Sequence, residues 1–185
     1  LLMAMATHEG LTAARPDERP FILTRAGFAG VQRYAAQWTG DNCSKWSHLR
    51  MSVAMSTAMG ISGQAFVGSD MPGFMGAATP ELAVRWAQYG ALTPFCRFHN
   101  HLGDPDKYPW SFGDEAEGLI REALRLRYRL LPYLYSAFRE SCATGAPASG
   151  SSAWTSVAAE ALALTPREDV ALRDPATFRW IGTPT

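Results

Sequence analysis

A short apolar run, a glycine-rich polar loop and a helix follow one another in that order along most of this sequence, and the repetition restricts the fold more than any other feature. Phe21 to Thr24, bounded by Pro20 and by Arg25-Ala26-Gly27, reads as a buried strand. Tyr34 to Trp38 reads as a second, stopped by Thr39-Gly40-Asp41-Asn42, with Ala65 to Gly68 as a third and Leu92 to Phe98 as a fourth. Helices are expected between them. Residues 1–14 form one; Ser44 caps another running to about Met59 and closed by Gly60; Thr79-Pro80-Glu81 opens a third that ends at Gly90. The longest spans Asp114 to Arg139, with Leu119, Ile120, Ala123, Leu124, Leu130, Leu131 and Leu134 on its buried stripe and Pro132 as a kink.

Strand, loop and helix in succession predict parallel strands joined by right-handed crossovers, an α/β architecture. Open doubly wound sheets and closed barrels both fit the pattern. A complete barrel of this kind needs about 250 residues, so a chain of 185 residues can be only part of one. The first residue is Leu1 rather than methionine, which points to a fragment and makes the start uninformative about compartment. We expect residues 1–140 to form the α/β unit. Residues 141–185 shift to Ala, Ser, Thr, Gly and Pro, with short apolar clusters at Ala158 to Leu164 and Phe178 to Ile181, and read as a divergent tail, either poorly ordered or holding a short helix.

Seventeen basic residues balance seventeen acidic ones. A neutral chain has no long-range field to gather phosphate backbones or anionic lipid, so neither a nucleic acid nor a membrane is expected as partner. No apolar run approaches the roughly 20 residues of a membrane span. Cys43, Cys96 and Cys142 are widely spaced and form no CxxC pair, which argues against a zinc ribbon or a disulfide framework and favours a reducing compartment such as the cytoplasm. His99 and His101, two apart on a loop without a third ligand, do not make a metal site, and neither a metal nor a cofactor is expected. Met51, Met55 and Met59 read as a packing stripe, and the arginines from Arg121 to Arg129 as an ion-paired, solvated face.

In parallel α/β folds, functional groups collect on the loops leaving the carboxyl ends of strands. Those positions carry Arg25 after the first strand, Trp38 and Asp41 after the second, Asp70 and Phe74 after the third and His99 after the fourth. Charged groups to grip hydroxyls, with rings to stack on apolar sugar faces, suit a polar, hydroxyl-rich, ring-shaped substrate.

The loops resemble one family, the α-glucosidases of glycoside hydrolase family 31. The matching words are RPFILTRAGFAGVQRYAAQWTGDN (residues 19–42), GQAFVGSDMPGF (63–74), ELAVRWAQYGALTPFCRFHN (81–100) and LRLRYRLLPYLY (124–135). The resemblance covers roughly residues 1–147. It implies the C-terminal half of a (β/α)8 barrel, about strands five to eight, in a retaining enzyme that releases α-linked glucosyl units from non-reducing ends of an oligosaccharide or α-glucoside. By the resemblance Asp41 is the general acid/base, a role that asks for a raised pKa from an apolar neighbour such as Trp38 and a nearby anionic nucleophile. Arg25, Trp38, Asp70, Phe74 and His99 then line the subsite of the cleaved sugar, with Arg25 and His99 donating to hydroxyls and Asp70 accepting or buttressing.

The family's nucleophile sits in a word of the Trp-x-Asp-Met-Asn kind, which is absent here. The N-terminal half of the barrel is therefore the partner this chain is expected to lack, and by itself the chain is expected to be inactive. Two words depart from the family's usual spelling, Arg97-Phe98-His99 and Asp70-Met71-Pro72-Gly73, and both adjoin site positions. Other readings on the same fold are an α-xylosidase or an α-glucosyltransferase. A reading from another class is a non-catalytic α/β binding module.

Overall fold

The computed structural model describes residues 1–145, 172–174 and 179–181. The expected cycle is present as α1 (Leu2–Ala14), β1 (Leu23–Thr24), β2 (Ala36–Trp38), α2 (Trp46–Ile61), β3 (Val67–Gly68), β4 (Asp70–Met71), α3 (Pro80–Gly90), β5 (Arg97–Phe98) and α4 (Asp114–Thr144). In the tail β6 (Leu172–Asp174) and β7 (Arg179–Ile181) form an antiparallel pair, and the apolar cluster at residues 158–164 lies outside the described residues.

Sheet order bears on the two architectures left open above. β1, β2 and β3 pair in that order, β4 pairs with β5, and each of these pairings is parallel. Ser69 alone separates β3 from β4. Residues 67–71 thus pair with β2 through Val67 and Gly68, and with β5 through Asp70 and Met71. Spatial order follows chain order among the described strands, the order of a barrel wall, with no reversal of the kind found at the switch point of a doubly wound sheet. Gly68 allows the close approach: a β-carbon there would lie 1.9 Å from the Phe95 carbonyl oxygen.

Helices cover one side of this arc. Thr79 caps α3 by accepting the Leu82 amide, with Pro80 in the first turn. Ala83, Val84 and Ala87 of α3 pack on Ala116 and Ile120 of α4, and Leu82 and Trp86 pack on Met71 of β4. Trp86 is fully buried and its indole N–H donates to the Ser69 hydroxyl at 2.9 Å, which satisfies the polar group at the break between β3 and β4.

Several local expectations are corrected. Ser44 does not cap α2. Its hydroxyl donates instead to the Gly76 carbonyl at 2.9 Å, across to the loop after β4, and α2 runs past Gly60 to Ile61. Of residues 92–98 only the last two are strand, because Arg127 gathers the carbonyls of Ala91, Thr93 and Pro94 at 2.5–3.2 Å and holds a turn there. Arg127 therefore leaves the solvated face predicted for residues 121–129, whereas Arg121 pairs with Glu117 and Arg125 with Glu122 as expected. Met51 and Met55 are exposed rather than packed, as is Leu131. α4 continues through Pro132 to Thr144, where Gly145 closes it in the left-handed conformation.

Candidate active site

Parallel pairing puts the carboxyl ends of all these strands on one rim. Trp38, Asp70 and Arg97 are at or near those ends, and Asp70 stands directly opposite Arg97 in the β4–β5 register. Side chains opposite one another on neighbouring strands share a face. The Arg97 guanidinium accordingly donates twice to Asp70 Oδ1, from Nε at 2.8 Å and from Nη2 at 2.7 Å, and it also lies 5.2 Å from the centre of the Trp38 ring. Asp70 is 0% exposed. Burial is the main influence on its carboxyl and raises its pKa above the ordinary 3.8, while the hydrogen bond and charge of Arg97 pull the other way.

The first two loops meet at the rim differently. Arg25 Nη2 lies 3.5 Å from Asp41 Oδ2, with side-chain exposures of 60% and 37%. Asp41 thus has a cation, and not a second carboxylate, as its immediate charged neighbour. Asn42, beside it, is buried and ties two loops together: Nδ2 donates to the Asp70 carbonyl at 3.0 Å, and Oδ1 accepts the Phe74 amide at 2.8 Å. Phe74 is half-buried, stacks on the exposed His99 ring at 5.3 Å and 25°, and meets His101 edge-on at 5.6 Å. The charges of His99 and Asp41 both act on Asp70, which links the outer loops to the buried pair.

All six residues singled out in the sequence fall on this rim or its loops. They divide into an exposed set (Arg25, Asp41, His99), a half-buried aromatic set (Trp38, Phe74) and the buried Asp70. Among the described residues, Trp38 Nε1, Thr39 Oγ1 and Asp70 Oδ2 at this rim are buried without a hydrogen-bond partner, as are Gln37 Oε1 of β2 and Ser52 Oγ of α2. Such orphaned groups are rare in folded proteins and concentrate where chemistry or binding occurs. The sequence reading passed over Arg97 and Asn42. Both stand inside the matching words, Arg97 two residues before His99 and Asn42 just after Asp41, and a polar residue at a strand end is the available signal.

Comparison with known proteins agrees with the resemblance. The model of the glycosyl hydrolases family 31 TIM-barrel domain matches residues 1–137. Alpha-glucosidase 2 of Bacillus thermoamyloliquefaciens is 49% identical over 146 residues, 79% of this chain and 19% of the relative. A probable glucan 1,3-alpha-glucosidase of Oryza sativa subsp. japonica is 49% identical over 144 residues, 77% of this chain and 16% of the relative. Among solved structures, the glucosidase II alpha subunit superposes with a TM-score of 0.76 at 44% identity, covering 78% of this chain and 16% of that one. A family 31 alpha-glucosidase from Bacteroides thetaiotaomicron gives 0.75 at 50% identity, covering 78% and 24%. The chain thus spans 19% and 16% of the length of these two curated relatives.

Proposed function

As the chain belongs to glycoside hydrolase family 31, we propose that it supplies strands five to eight of a (β/α)8 catalytic barrel in a retaining, exo-acting α-glucosidase. Residues 1–140 are the barrel part and residues 141–185 a divergent tail. The single observation that carries the reading is the sequential parallel order of the strands, which gathers the Arg25–Asp41 pair, buried Asp70 and the Phe74–His99 stack at one rim. The relatives' names, α-glucosidases and a probable glucan 1,3-alpha-glucosidase, support glucose as the sugar released.

Retaining hydrolysis uses two carboxyl groups roughly 5–5.5 Å apart, one nucleophile and one acid/base. Asp41 takes the second role. As an acid it passes its proton to the glycosidic oxygen while the bond to the anomeric carbon breaks; as a carboxylate it then takes a proton from the water that attacks the glycosyl-enzyme. Arg25, within reach of Oδ2, orients the carboxyl. Exposure favours this carboxyl over Asp70 for the proton traffic, because a group at 0% exposure with Arg97 on it cannot meet a substrate oxygen without rearrangement. Asp70 instead holds Arg97 against Trp38, so that ring and guanidinium form one side of the sugar site. The nucleophile comes from the N-terminal half of the parent, and the chain alone is inactive.

The test uses the full-length parent. Asp41→Ala cuts turnover of nitrophenyl α-glucoside by about 10²–10⁴-fold, and azide restores part of it by attacking the glycosyl-enzyme in place of water, forming the glycosyl azide without need of a general base. Unchanged turnover removes Asp41 from its role. Hydrolysis of the α-xyloside but not the α-glucoside would overturn the choice of sugar.

A further inference from the structure

Lys107 has no part in the reading above, and its surroundings are unusual for a lysine. It is 3% exposed, and its ammonium donates to two consecutive carbonyls, Gly73 at 2.7 Å and Phe74 at 3.0 Å. Taking an ammonium out of water is costly unless strong hydrogen bonds replace the lost hydration. Burial lowers the Lys107 pKa, opposed by the charges of Asp104, Cys43 and Asp70. A surface lysine whose only task was solubility would sit outward, where this cost does not arise.

The segment it grips is the one that carries the aromatic wall. Gly73 has φ +102°, and a β-carbon there would lie 2.4 Å from the Ser44 amide nitrogen, so this backbone is pressed against the residues just after Asp41 and Asn42. The Phe74 amide is taken by Asn42 Oδ1, and the Phe74 carbonyl by the His101 amide at 2.9 Å as well as by Lys107. Two residues on, the Gly76 amide donates to Asp104 Oδ2 at 2.8 Å. Asp104 and Lys107 thus tie the loop after β5 to the loop after β4, one through an amide and the other through a pair of carbonyls. The Phe74 ring stacked on His99 lies between these ties.

We propose that Lys107 is a positioning residue: by clamping the Gly73 and Phe74 carbonyls it sets the Phe74 ring, and through the stack the His99 imidazole, at the geometry the sugar site requires. The proposal rests on the function proposed above for that site, but its structural part is tested without any activity. His8, His48, His99 and His101 are the four histidines of the chain. His99 and His101 lie against the Phe74 ring, so their imidazole proton resonances read the stack directly; His8, on α1 against Tyr34, is the internal control, whereas His48 accepts the Cys43 amide beside Gly73 and is not independent of this loop.

In the 185-residue chain, Lys107→Met moves the His99 and His101 resonances toward those of unstacked imidazoles and leaves His8 in place. In the full-length parent the same change raises KM for nitrophenyl α-glucoside about tenfold while kcat falls by less than about threefold, because a displaced wall loosens sugar binding without touching the acid/base. Lys107→Arg keeps the charge and the donors and restores at least half of both effects on a logarithmic scale. Should Lys107→Met disturb His8 as well, Lys107→Arg against Lys107→Gln decides: the charged variant remains nearer to wild type at His99 and His101. Unmoved His99 and His101 resonances, an unchanged KM, or equal effects of the charged and neutral variants overturn the proposal. A wild-type parent that hydrolyses no α-glycoside overturns the function of the site while the resonances still test the clamp.

Discussion

Two acid–guanidinium pairs lie on the same rim and are built in opposite ways. Arg97 and Asp70 meet at 2.7 Å with side-chain exposures of 27% and 1%, on neighbouring strands in direct register, and Arg97 gives Asp70 a second hydrogen bond. Arg25 and Asp41 meet at 3.5 Å through a single contact at 60% and 37% exposure, on loops beyond the strands. Backbone pairing fixes the first pair, whereas the second has only its side chains to hold it. The difference bears on the roles proposed for them: a carboxyl that trades protons has to be within reach of substrate and water, and one that shapes a wall does not.

The sharpest way to break this comparison is to mutate one member of each pair and measure both turnover and stability in the full-length parent. Asp41→Ala should cost about 3–5 kcal/mol of transition-state stabilisation, the equivalent of a 10²–10⁴-fold loss, with a urea midpoint close to wild type. Arg97→Met should shift the midpoint, with a loss of about 3 kcal/mol, because it strands a buried carboxylate. Two variants that both lose activity and stability together would show that the pairs are not distinct in kind.

The pH dependence of stability sharpens the same contrast. Burial raises the pKa of Asp70, so the folded chain keeps that proton to higher pH than the unfolded chain, whose value is near the ordinary 3.8. Asp70 therefore adds to stability below 3.8, and that part fades as pH climbs through the raised value. Asp70→Asn should flatten the decline in urea midpoint over this range. In Arg97→Met the carboxyl loses the neighbour that favours its charge, so the decline should steepen and run to higher pH. Parallel curves for wild type and Asp70→Asn would refute the assignment.

How much of this was legible in the sequence follows the same division. The members of the exposed pair were readable one by one, though not their contact, because Arg25 and Asp41 each stand at a loop that punctuates an apolar run, and turn chemistry is local. α3 was readable to the residue for the same reason, with Thr79 and Pro80 at its start. The partner of Asp70 was not. Arg97 is 27 residues away, and only the register of β4 against β5 brings them together. Lys107 was hidden likewise, since its contacts are backbone carbonyls more than thirty positions back, to which any sequence would contribute the same atoms. Ser44 shows the converse failure. A serine before a helix has a local use as a cap, but here the loop after β4 passes close enough for its carbonyl to take the hydroxyl instead.

The smallest expected effect bears on the exposed pair itself. Arg25→Met removes the contact with Asp41, and at these exposures the loss in stability should be under about 1 kcal/mol, since solvent already screens the charges and both side chains lose entropy in holding one geometry. Raising the salt concentration should reproduce most of that change in the wild type and almost none of it in the variant. Turnover in the parent should nevertheless fall, because the guanidinium that orients the Asp41 carboxyl is gone. A stability loss as large as that of Arg97→Met would mean that Arg25 and Asp41 are structural after all. The acid/base would then have to be sought among the residues the parent adds to this rim.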